Sequence, residues 1–184
     1  YHLQGASPAI DTGTPAGTDM GAYDYNGPTA PTLSSPTNAS ATSDTTPTLS
    51  WSAATAGSAA ISNYEIVIDG TAVATQDTTL SYTPAALSEA SHTWKVRAKD
   101  ASGIWGNYSS TWTVTVDATG PTAPTLSSPS NGSSTSDTTP DFTWSAATDA
   151  TTTVVSYEVM RNGTAVATQG ATLSYTNSTL SDGS

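Results

Sequence analysis

The chain has 184 residues, enough for one large domain or two small ones. It carries 4 Lys plus Arg against 15 Asp plus Glu, and this formal net charge of -11 argues against a nucleic-acid partner, which would need a basic surface. Because it has no cysteine, disulfides, thiolate metal sites and thiol nucleophiles are excluded. No apolar run approaches the roughly 18 residues of a membrane span, so we expect no membrane insertion.

An internal repeat decides the organisation of the chain. Residues 27–36 recur unchanged as residues 120–129, at an offset of 93 residues. The offset continues without a gap, because rare aromatic positions keep matching, for example Trp51 with Trp144. A period near 93 is too long for one coil of a solenoid and suits a small all-β domain in tandem.

The second copy is shorter than the first. Its last residue, Ser184, aligns with Ser91, so nothing in it corresponds to residues 92–117. We expect the chain to be an internal piece of a longer protein, with a remnant of another domain at 1–26, a complete repeat at 27–119 and a truncated repeat at 120–184. In the truncated repeat we expect loss of cover for the inward residues Trp144, Tyr157, Val159 and Tyr175.

The first copy alternates apolar and polar residues with the period of two that is typical of strands. Seven short strands are predicted, near residues 32–34, 49–53, 64–68, 71–75, 80–82, 93–99 and 111–116. Between the third and fourth strands, Asp69-Gly70 predicts a tight hairpin turn, because both central residues of such a turn need positive φ. No helical period of useful length is present.

Each predicted strand has one apolar face, which needs a second sheet to cover it. The pattern therefore predicts an all-β, two-sheet sandwich. The predicted inward residues are Leu33, Leu49, Trp51, Tyr64, Ile66, Ile68, Leu80, Tyr82, Leu87, Trp94, Val96, Trp112, Val114 and Val116.

The first copy resembles fibronectin type III and related bacterial immunoglobulin-like repeats. The matching features are Pro28 and Pro31 at the start, Trp51 on the second strand, Tyr64 on the third, Leu87 ahead of Trp94, and residues 98–103. The resemblance covers residues 28–119 fully and 121–184 as a truncated copy, and it implies seven-stranded immunoglobulin-like sandwiches. The family's usual Tyr at the corner before the sixth strand is Trp94 here, which implies that the hydroxyl bond pinning that corner is absent or replaced.

The first 26 residues do not belong to the repeat. Leu3-Gln4, residues 7–13 and residues 19–23 resemble the closing segment of bacterial right-handed parallel β-helix proteins, with Gly5-Ala6 in reversed order. Such a segment cannot bury its apolar face without the coil before it. We therefore expect it to be extended and poorly packed.

The sequence offers little material for catalysis or metal binding. Of the two histidines, His2 and His92, neither can be assigned to a Ser-His-Asp arrangement, so we expect no catalytic residue, no enzyme activity and no cofactor in this chain. Asp residues near turns are candidates for calcium, although no spacing matches a calcium loop and Asp also favours turns by bonding backbone amides. These candidates are Asp100 beside Ser102, Asp117, and Asp11 with Asp19.

Several tryptophan and asparagine residues have both a functional and a structural interpretation. Trp51, Trp94 and Trp112 fall on the inward phase of their strands and are interpreted as core, whereas Trp105, with Tyr108 nearby, is the candidate for sugar contact. We interpret five Asn-x-Ser/Thr sites as turn composition, not as glycan sites: Asn38, Asn107, Asn131, Asn162 and Asn177.

Three of the four basic residues face outward on one predicted strand. They are Lys95, Arg97 and Lys99, and the expected partner is Glu65 on the neighbouring strand. A site for an acidic polymer is the alternative, which the net negative charge of the chain opposes.

The leading functional hypothesis is a non-catalytic spacer or adhesion array of sandwich modules in a large secreted or cell-surface bacterial protein. Its expected partners are neighbouring domains of the same chain, with a polysaccharide or cell-surface partner as a further candidate. The alternatives are the accessory region of a β-helix polysaccharide lyase or hydrolase, and a carbohydrate-binding module.

Overall fold

The structure, a computed structural model, describes residues 26–181. Within that range it has thirteen strands and no helix, and accordingly no helix there is long and apolar enough to cross a membrane. The expected β-helix remnant at residues 1–26, including His2, Asp11 and Asp19, lies outside the described residues except for Asn26.

The first copy folds as two facing sheets. One sheet has three strands, in the order β1 (Leu33–Ser35), β3 (Leu49–Trp51) and β6 (Ser81–Tyr82). The other has five strands, in the order β2 (Ser40–Thr42), β8 (Trp112–Val116), β7 (Ala90–Asp100), β4 (Ile61–Ile68) and β5 (Thr71–Gln76). The predicted all-β immunoglobulin-like sandwich is thus confirmed.

All seven predicted strands are present, and β2 is an additional one. It pairs in parallel with β8, unlike every other strand pair of the described residues, which is antiparallel. Its residues, Ser40-Ala41-Thr42, have no large apolar side chain to mark a buried face. Periodicity therefore could not reveal β2.

The core lies between the two sheets and follows the predicted alternation closely. Its most deeply buried members are exposed by 1% or less and are Leu49, Tyr64, Ile66, Trp94, Val96, Ala98, Val114 and Val116. Leu80 was wrongly placed in the core, because it precedes the two-residue strand β6 and is 36% exposed. Val67 is buried although it lies on the outer face, opposite Lys95, whose aliphatic stem can cover it.

The second copy contains the same three-stranded sheet and an isolated hairpin. The sheet has the order β13 (Ser174–Thr176), β10 (Asp141–Trp144) and β9 (Leu126–Ser128), and the hairpin consists of β11 (Tyr157–Arg161) and β12 (Thr164–Gln169). Among the described residues nothing takes the positions that β7 and β8 occupy in the first copy. The second sandwich is therefore open on one side.

The expected loss of cover in the second copy is seen at one of the four predicted residues, Tyr157, which is half-buried where its counterpart Tyr64 is 1% exposed. Trp144 and Val159 stay buried, each 7% exposed, and Tyr175 is half-buried like its counterpart Tyr82. The Trp–Tyr contact across the two sheets survives, because the ring centroids of Trp144 and Tyr157 are 5.7 Å apart. A larger loss of cover, which we did not predict, is at Leu126, which is 79% exposed.

The hairpin turn predicted at Asp69-Gly70 is confirmed by φ angles of 49° and 79°. Asn162 and Gly163 repeat it in the second copy, with φ angles of 50° and 77°. Trp94, which was expected at the corner before the sixth predicted strand, lies inside β7, and its indole N–H has no hydrogen-bond partner within the described chain. The hydroxyl bond of related repeats is therefore absent at Trp94.

Candidate functional site on the outer face of the first copy

The segment after β7 turns back and runs antiparallel beside β7, since the amides of Gly106 and Ser109 donate to the carbonyls of Ala98 and Val96 at 2.8 Å each. Asp100 starts the turn, because its Oδ1 accepts hydrogen bonds from the amides of Ser102 (3.0 Å) and Ile104 (2.9 Å). The returning chain then pairs with β7 through a Lys99–Trp105 bridge. This turn places the aromatic side chains of the returning segment beside the basic side chains of β7.

Three cations and two aromatic rings interleave in this region, which we call the basic–aromatic ladder (Lys95, Tyr108, Arg97, Trp105, Lys99). The Arg97 guanidinium carbon lies 4.5 Å from the ring centroids of both Tyr108 and Trp105. Lys95 Nζ lies 4.3 Å from the Tyr108 ring, and Lys99 Nζ lies 5.2 Å from the Trp105 ring. These distances are within the range of cation–π attraction.

Glu65 holds the centre of the ladder. Arg97 Nε donates to Glu65 Oε2 at 2.7 Å, and the Tyr108 hydroxyl donates to the same oxygen at 2.6 Å. The hydrogen bond from Arg97 is the main reason why the pKa of Glu65 lies below its usual value, and burial together with the bond to Glu65 raises the pKa of Tyr108. The predicted pairing of Glu65 with Arg97 is confirmed.

The cations and the aromatic rings of the basic–aromatic ladder contact one another. Trp105, the candidate for sugar contact, is half-buried and has Arg97 and Lys99 against its ring. Tyr108 is likewise half-buried between Lys95 and Arg97. Since stacking on a sugar needs a free ring face, the arrangement favours a role in holding the returning segment over a role in binding.

A second cluster, at one end of the sandwich, was missed in the sequence. His92 Nδ1 lies 2.7 Å from Asp69 Oδ2, and Ser88 Oγ lies 3.5 Å from His92 Nε2. The structure thus does bring a serine, a histidine and an aspartate together, contrary to our expectation. The available signal was the register of β4 and β7, which places the Asp69 turn beside the start of β7.

The geometry of this cluster does not suit nucleophilic catalysis. His92 Nε2 is 2.9 Å from the carbonyl oxygen of Ser88, so it must carry a proton and donate it there. Nδ1 faces a carboxylate, so both ring nitrogens donate and the imidazolium form is favoured. Burial lowers the pKa of His92, but the bonds to Asp69 and to the Ser88 carbonyl outweigh it and leave the pKa above its ordinary value. A general base would need an unprotonated Nε2 facing the serine hydroxyl.

Asp100 and Asp117 are the calcium candidates within the described residues, and each has its own structural role. Asp100 is 1% exposed and spends Oδ1 on its own turn, as described above. Asp117 Oδ2 accepts a hydrogen bond from the Thr152 hydroxyl at 2.5 Å. Each has one carboxylate oxygen without a hydrogen-bond partner, yet residues 26–181 contain no group of three His, Cys, Asp or Glu side chains placed to hold a metal.

The remaining sequence candidates are structural. Trp51 and Trp94 are 3% and 1% exposed, and Trp112 is partly buried against the core. Asn177, one of the five Asn-x-Ser/Thr positions, is 3% exposed, so its amide is unavailable on the surface: it donates to the Pro140 carbonyl and accepts from Arg161.

Comparison with known proteins gives one similar curated sequence. The chain is 34% identical over 157 residues to Exoglucanase B of Cellulomonas fimi, a match that covers 83% of this chain and 14% of the exoglucanase. The chain therefore spans only a small part of that relative. No family model matches the chain.

Solved structures with a similar arrangement include the central fibronectin-III array of RIM-binding protein (TM-score 0.36, 17% identity, 83% of this chain and 52% of that chain). Others are the sixth fibronectin type III domain of human fibronectin type III domain containing protein 3 (0.37, 20%, 53% and 92%) and the alpha-L-rhamnosidase from Dictyoglumus thermophilum (0.40, 13%, 58% and 15%). The fold itself defines the class: the chain is built from immunoglobulin-like β-sandwich repeats.

Proposed function

We propose that the chain supplies non-catalytic sandwich modules to a large extracellular bacterial protein that acts on carbohydrate. In that protein the modules space or attach other domains. The similarity to part of an exoglucanase supports the carbohydrate context. The resemblance to bacterial immunoglobulin-like repeats supports the extracellular location and the spacer or adhesion role.

The observation that carries the proposal is that apolar side chains fill the core of the first copy and that its reactive side chains are paired within the fold. The space between its two sheets is filled by apolar side chains, of which eleven form one buried cluster. Outside that core, His92 is bound to Asp69, and Arg97 is bound to Glu65. A domain whose ion pairs join parts of its own fold is suited to a mechanical role.

The joint between the two copies also suits a spacer. Asp117 is the residue directly after β8, and its amide donates to the Thr42 carbonyl at 2.9 Å. Thr122 is already bonded to the second copy, through its amide and the Thr148 carbonyl at 2.8 Å. Only four residues, 118–121, lie between these two anchored positions, and one of them is a proline that fixes φ.

Two side-chain bonds cross or brace this joint. The Thr152 hydroxyl of the second copy donates to Asp117 (2.5 Å), and the Thr119 hydroxyl donates to Glu89 Oε1 (2.6 Å). A short connection with a direct tie restricts the relative orientation of neighbouring modules. A restricted joint keeps each module of an array in a fixed orientation relative to the next one.

The test is the distribution of distances between spin labels placed on β5 and β12. We expect one narrow peak, which widens in Asp117→Ala because the tie to Thr152 is lost. Asp117→Asn, which keeps an acceptor oxygen for Thr152, is the matched control and should retain the narrow peak. A broad distribution in the unmodified chain would contradict the spacer role.

The alternatives, a carbohydrate-binding module or an accessory region of a β-helix lyase or hydrolase, predict a different result. Retention of the chain in gels containing soluble polysaccharide, abolished by Trp105→Ala without loss of stability, would favour binding over spacing. We expect no retention. Release of reducing sugar or of unsaturated products by the purified chain would overturn the non-catalytic assignment.

A further inference from the structure

Every lysine and arginine of the chain lies on a β-strand. The sequence contains four of these residues. Lys95, Arg97 and Lys99 are on β7, and Arg161 is the last residue of β11. The irregular segments of residues 26–181 therefore contain none, although exposed loops are the preferred sites of proteolytic cleavage. A protease that cuts after lysine or arginine finds its cleavage positions only on paired strands of this chain.

The three cations of the first copy lie on a strand that is paired on both sides. β7 lies between β8 and β4, and the returning segment extends the pairing beyond the start of β8. The peptide N–H that follows Lys95 donates to Ser109 Oγ at 3.1 Å, and the one that follows Lys99 donates to the Ile104 carbonyl at 3.0 Å. A protease cleaves a transiently opened segment, so these bonds must break before cleavage.

The residue after each of these cations is buried. Val96 and Ala98 are 0% exposed, and Asp100 is 1% exposed. Each of the three cleavable bonds thus joins a surface cation to a side chain inside the sandwich. If β7 leaves the fold far enough to enter a protease, the core is exposed and the sheet is broken at its centre, which amounts to global unfolding.

The basic–aromatic ladder adds a second barrier, at the side chains. Lys95 Nζ and the Arg97 guanidinium carbon lie 4.3 Å and 4.5 Å from the Tyr108 ring centroid, and Lys99 Nζ lies 5.2 Å from that of Trp105. A protease of this class recognises the cation by binding it in an acidic pocket of its own. Each cation must therefore leave its aromatic ring before it can be recognised.

We propose that the placement of its cations on β7 makes the first copy resistant to proteases that cut after basic residues. The loops of the first copy offer no basic residue, and the ladder retains the three cations on a central strand. Cleavage then occurs only in molecules that have unfolded globally. When opening and closing are fast relative to cleavage, its rate follows the equilibrium population of the unfolded state. This resistance does not depend on the spacer role.

The experiment uses the full chain with Arg161→Gln, so that every cut reports on the first copy. Trypsin is added at urea concentrations below the unfolding transition, and mass spectrometry identifies the cut positions. We expect the logarithm of the cleavage rate after Lys95, Arg97 or Lys99 to rise with urea with the slope of equilibrium unfolding. A small peptide substrate measures the activity of trypsin at each urea concentration.

Two variants separate the placement of the cations from general rigidity. Ala56→Lys puts a basic residue at an exposed position of the irregular segment 52–60, between β3 and β4. We expect cleavage there about 100-fold faster than on β7, with little dependence on urea. Glu65→Gln removes the carboxylate that binds Arg97 at 2.7 Å and should raise cleavage on β7 about fivefold. Glu158→Gln, the same change in the second copy, should leave that rate unchanged.

Three results would overturn the proposal. The first is cleavage on β7 at a rate that does not change with urea, because the strand would then open locally. The second is an Ala56→Lys chain that is cut at residue 56 as slowly as on β7, because the fold would then protect every segment regardless of where the cations lie. The third is an unchanged cleavage rate on β7 in Glu65→Gln, which would leave the ladder without a protective role.

Discussion

The two copies use nearly the same strand sequences and reach different states. Leu33 and Leu126 occupy the same repeat position, in the same Leu-Ser-Ser strand, yet Leu33 is 5% exposed and Leu126 is 79% exposed. The prolines show the same contrast: Pro28 and Pro31 are buried, whereas Pro121 and Pro124 are exposed. The difference comes from β7, β8 and the returning segment, which only the first copy has in the described chain.

The comparison separates two kinds of interaction. Contacts between the three-stranded sheet and the hairpin survive without β7 and β8, since the Trp51–Tyr64 and Trp144–Tyr157 ring distances are both 5.7 Å. The bond from a backbone amide to the Tyr64 hydroxyl, 3.0 Å long, is also repeated at Tyr157. What disappears is the cover over the far side of the core. A sandwich of this kind therefore contains a half-core, made by the three-stranded sheet and the hairpin, and a cover that the later strands supply.

The largest predicted difference concerns the matched leucines. Leu33→Ala should destabilise the first copy by about 2–5 kcal/mol, because it leaves a cavity in a closed core. Leu126→Ala should change the stability of the second copy by less than about 0.5 kcal/mol, because the side chain is already in water. Hydrogen exchange resolved by copy measures both. Equal effects would mean that the open side of the second copy is closed in solution.

A smaller effect is expected where the first copy holds its own starting segment. A Cβ added to Gly106 would lie 2.2 Å from the Pro28 carbonyl oxygen, a contact that only a backbone shift can relieve. Gly106→Ala should therefore destabilise the first copy by about 1–3 kcal/mol. Gly120→Ala, at the start of the second copy, is the control, since nothing lies within 4 Å of its added Cβ. Thermal unfolding of the two variants tests the contrast.

The matched glutamates test the ladder. Glu65→Gln removes the charge that binds Arg97 and should cost about 1 kcal/mol, the upper end for a cross-strand pair. Glu158→Gln should leave the free energy of unfolding unchanged, because Glu158 has no cationic partner in the described residues. Urea unfolding followed by exchange at β7 and at β11 distinguishes them. An equal loss in both variants would show that the pair with Arg97 is not its cause.

The smallest effect is the pH dependence that the Asp69–His92 pair gives to the first copy. Burial raises the pKa of Asp69, but the hydrogen bond from His92 and the other bonds to its carboxylate outweigh this and hold the pKa below 3.8, while the pKa of His92 lies above 6.5. The imidazolium therefore stabilises the fold fully below pH 6.5, and this is lost as pH rises through the raised pKa of His92. The carboxylate stabilises it above pH 3.8, and this is lost as pH falls through the lowered pKa of Asp69.

Asp69→Asn converts the turn to the Asn-Gly sequence that the second copy has at Asn162. The variant should be less stable than the unmodified chain below pH 6.5, and the difference in stability should narrow as the pH rises through the raised pKa of His92 and this residue loses its proton in the unmodified chain. Melting temperatures of the first copy across this range provide the measurement. A gap that stays constant with pH would show that His92 does not titrate against Asp69.

Much of the site was open to prediction, because the outward phase of one strand places Lys95, Arg97 and Lys99 on one face, with Glu65 beside them. The position of Trp105 was not, because it depends on where the returning segment lies after the turn at Asp100. The Asp69–His92 pair was missed for a similar reason. Asp69 and His92 are 23 positions apart in the chain, and they meet because the hydrogen-bonded pairing of β4 with β7 sets the register of the two strands.

The amino-acid pattern alone determined seven of the eight strands of the first copy, nearly all of their buried positions and the turn at Asp69-Gly70, because periodicity and turn chemistry are local properties. The tertiary structure decided which of two residues at the same repeat position is buried. Leu33 and Leu126 have the same neighbours in sequence, and their burial differs because it depends on strands distant in the chain. Burial is a property of the assembled sheets, which no local pattern contains.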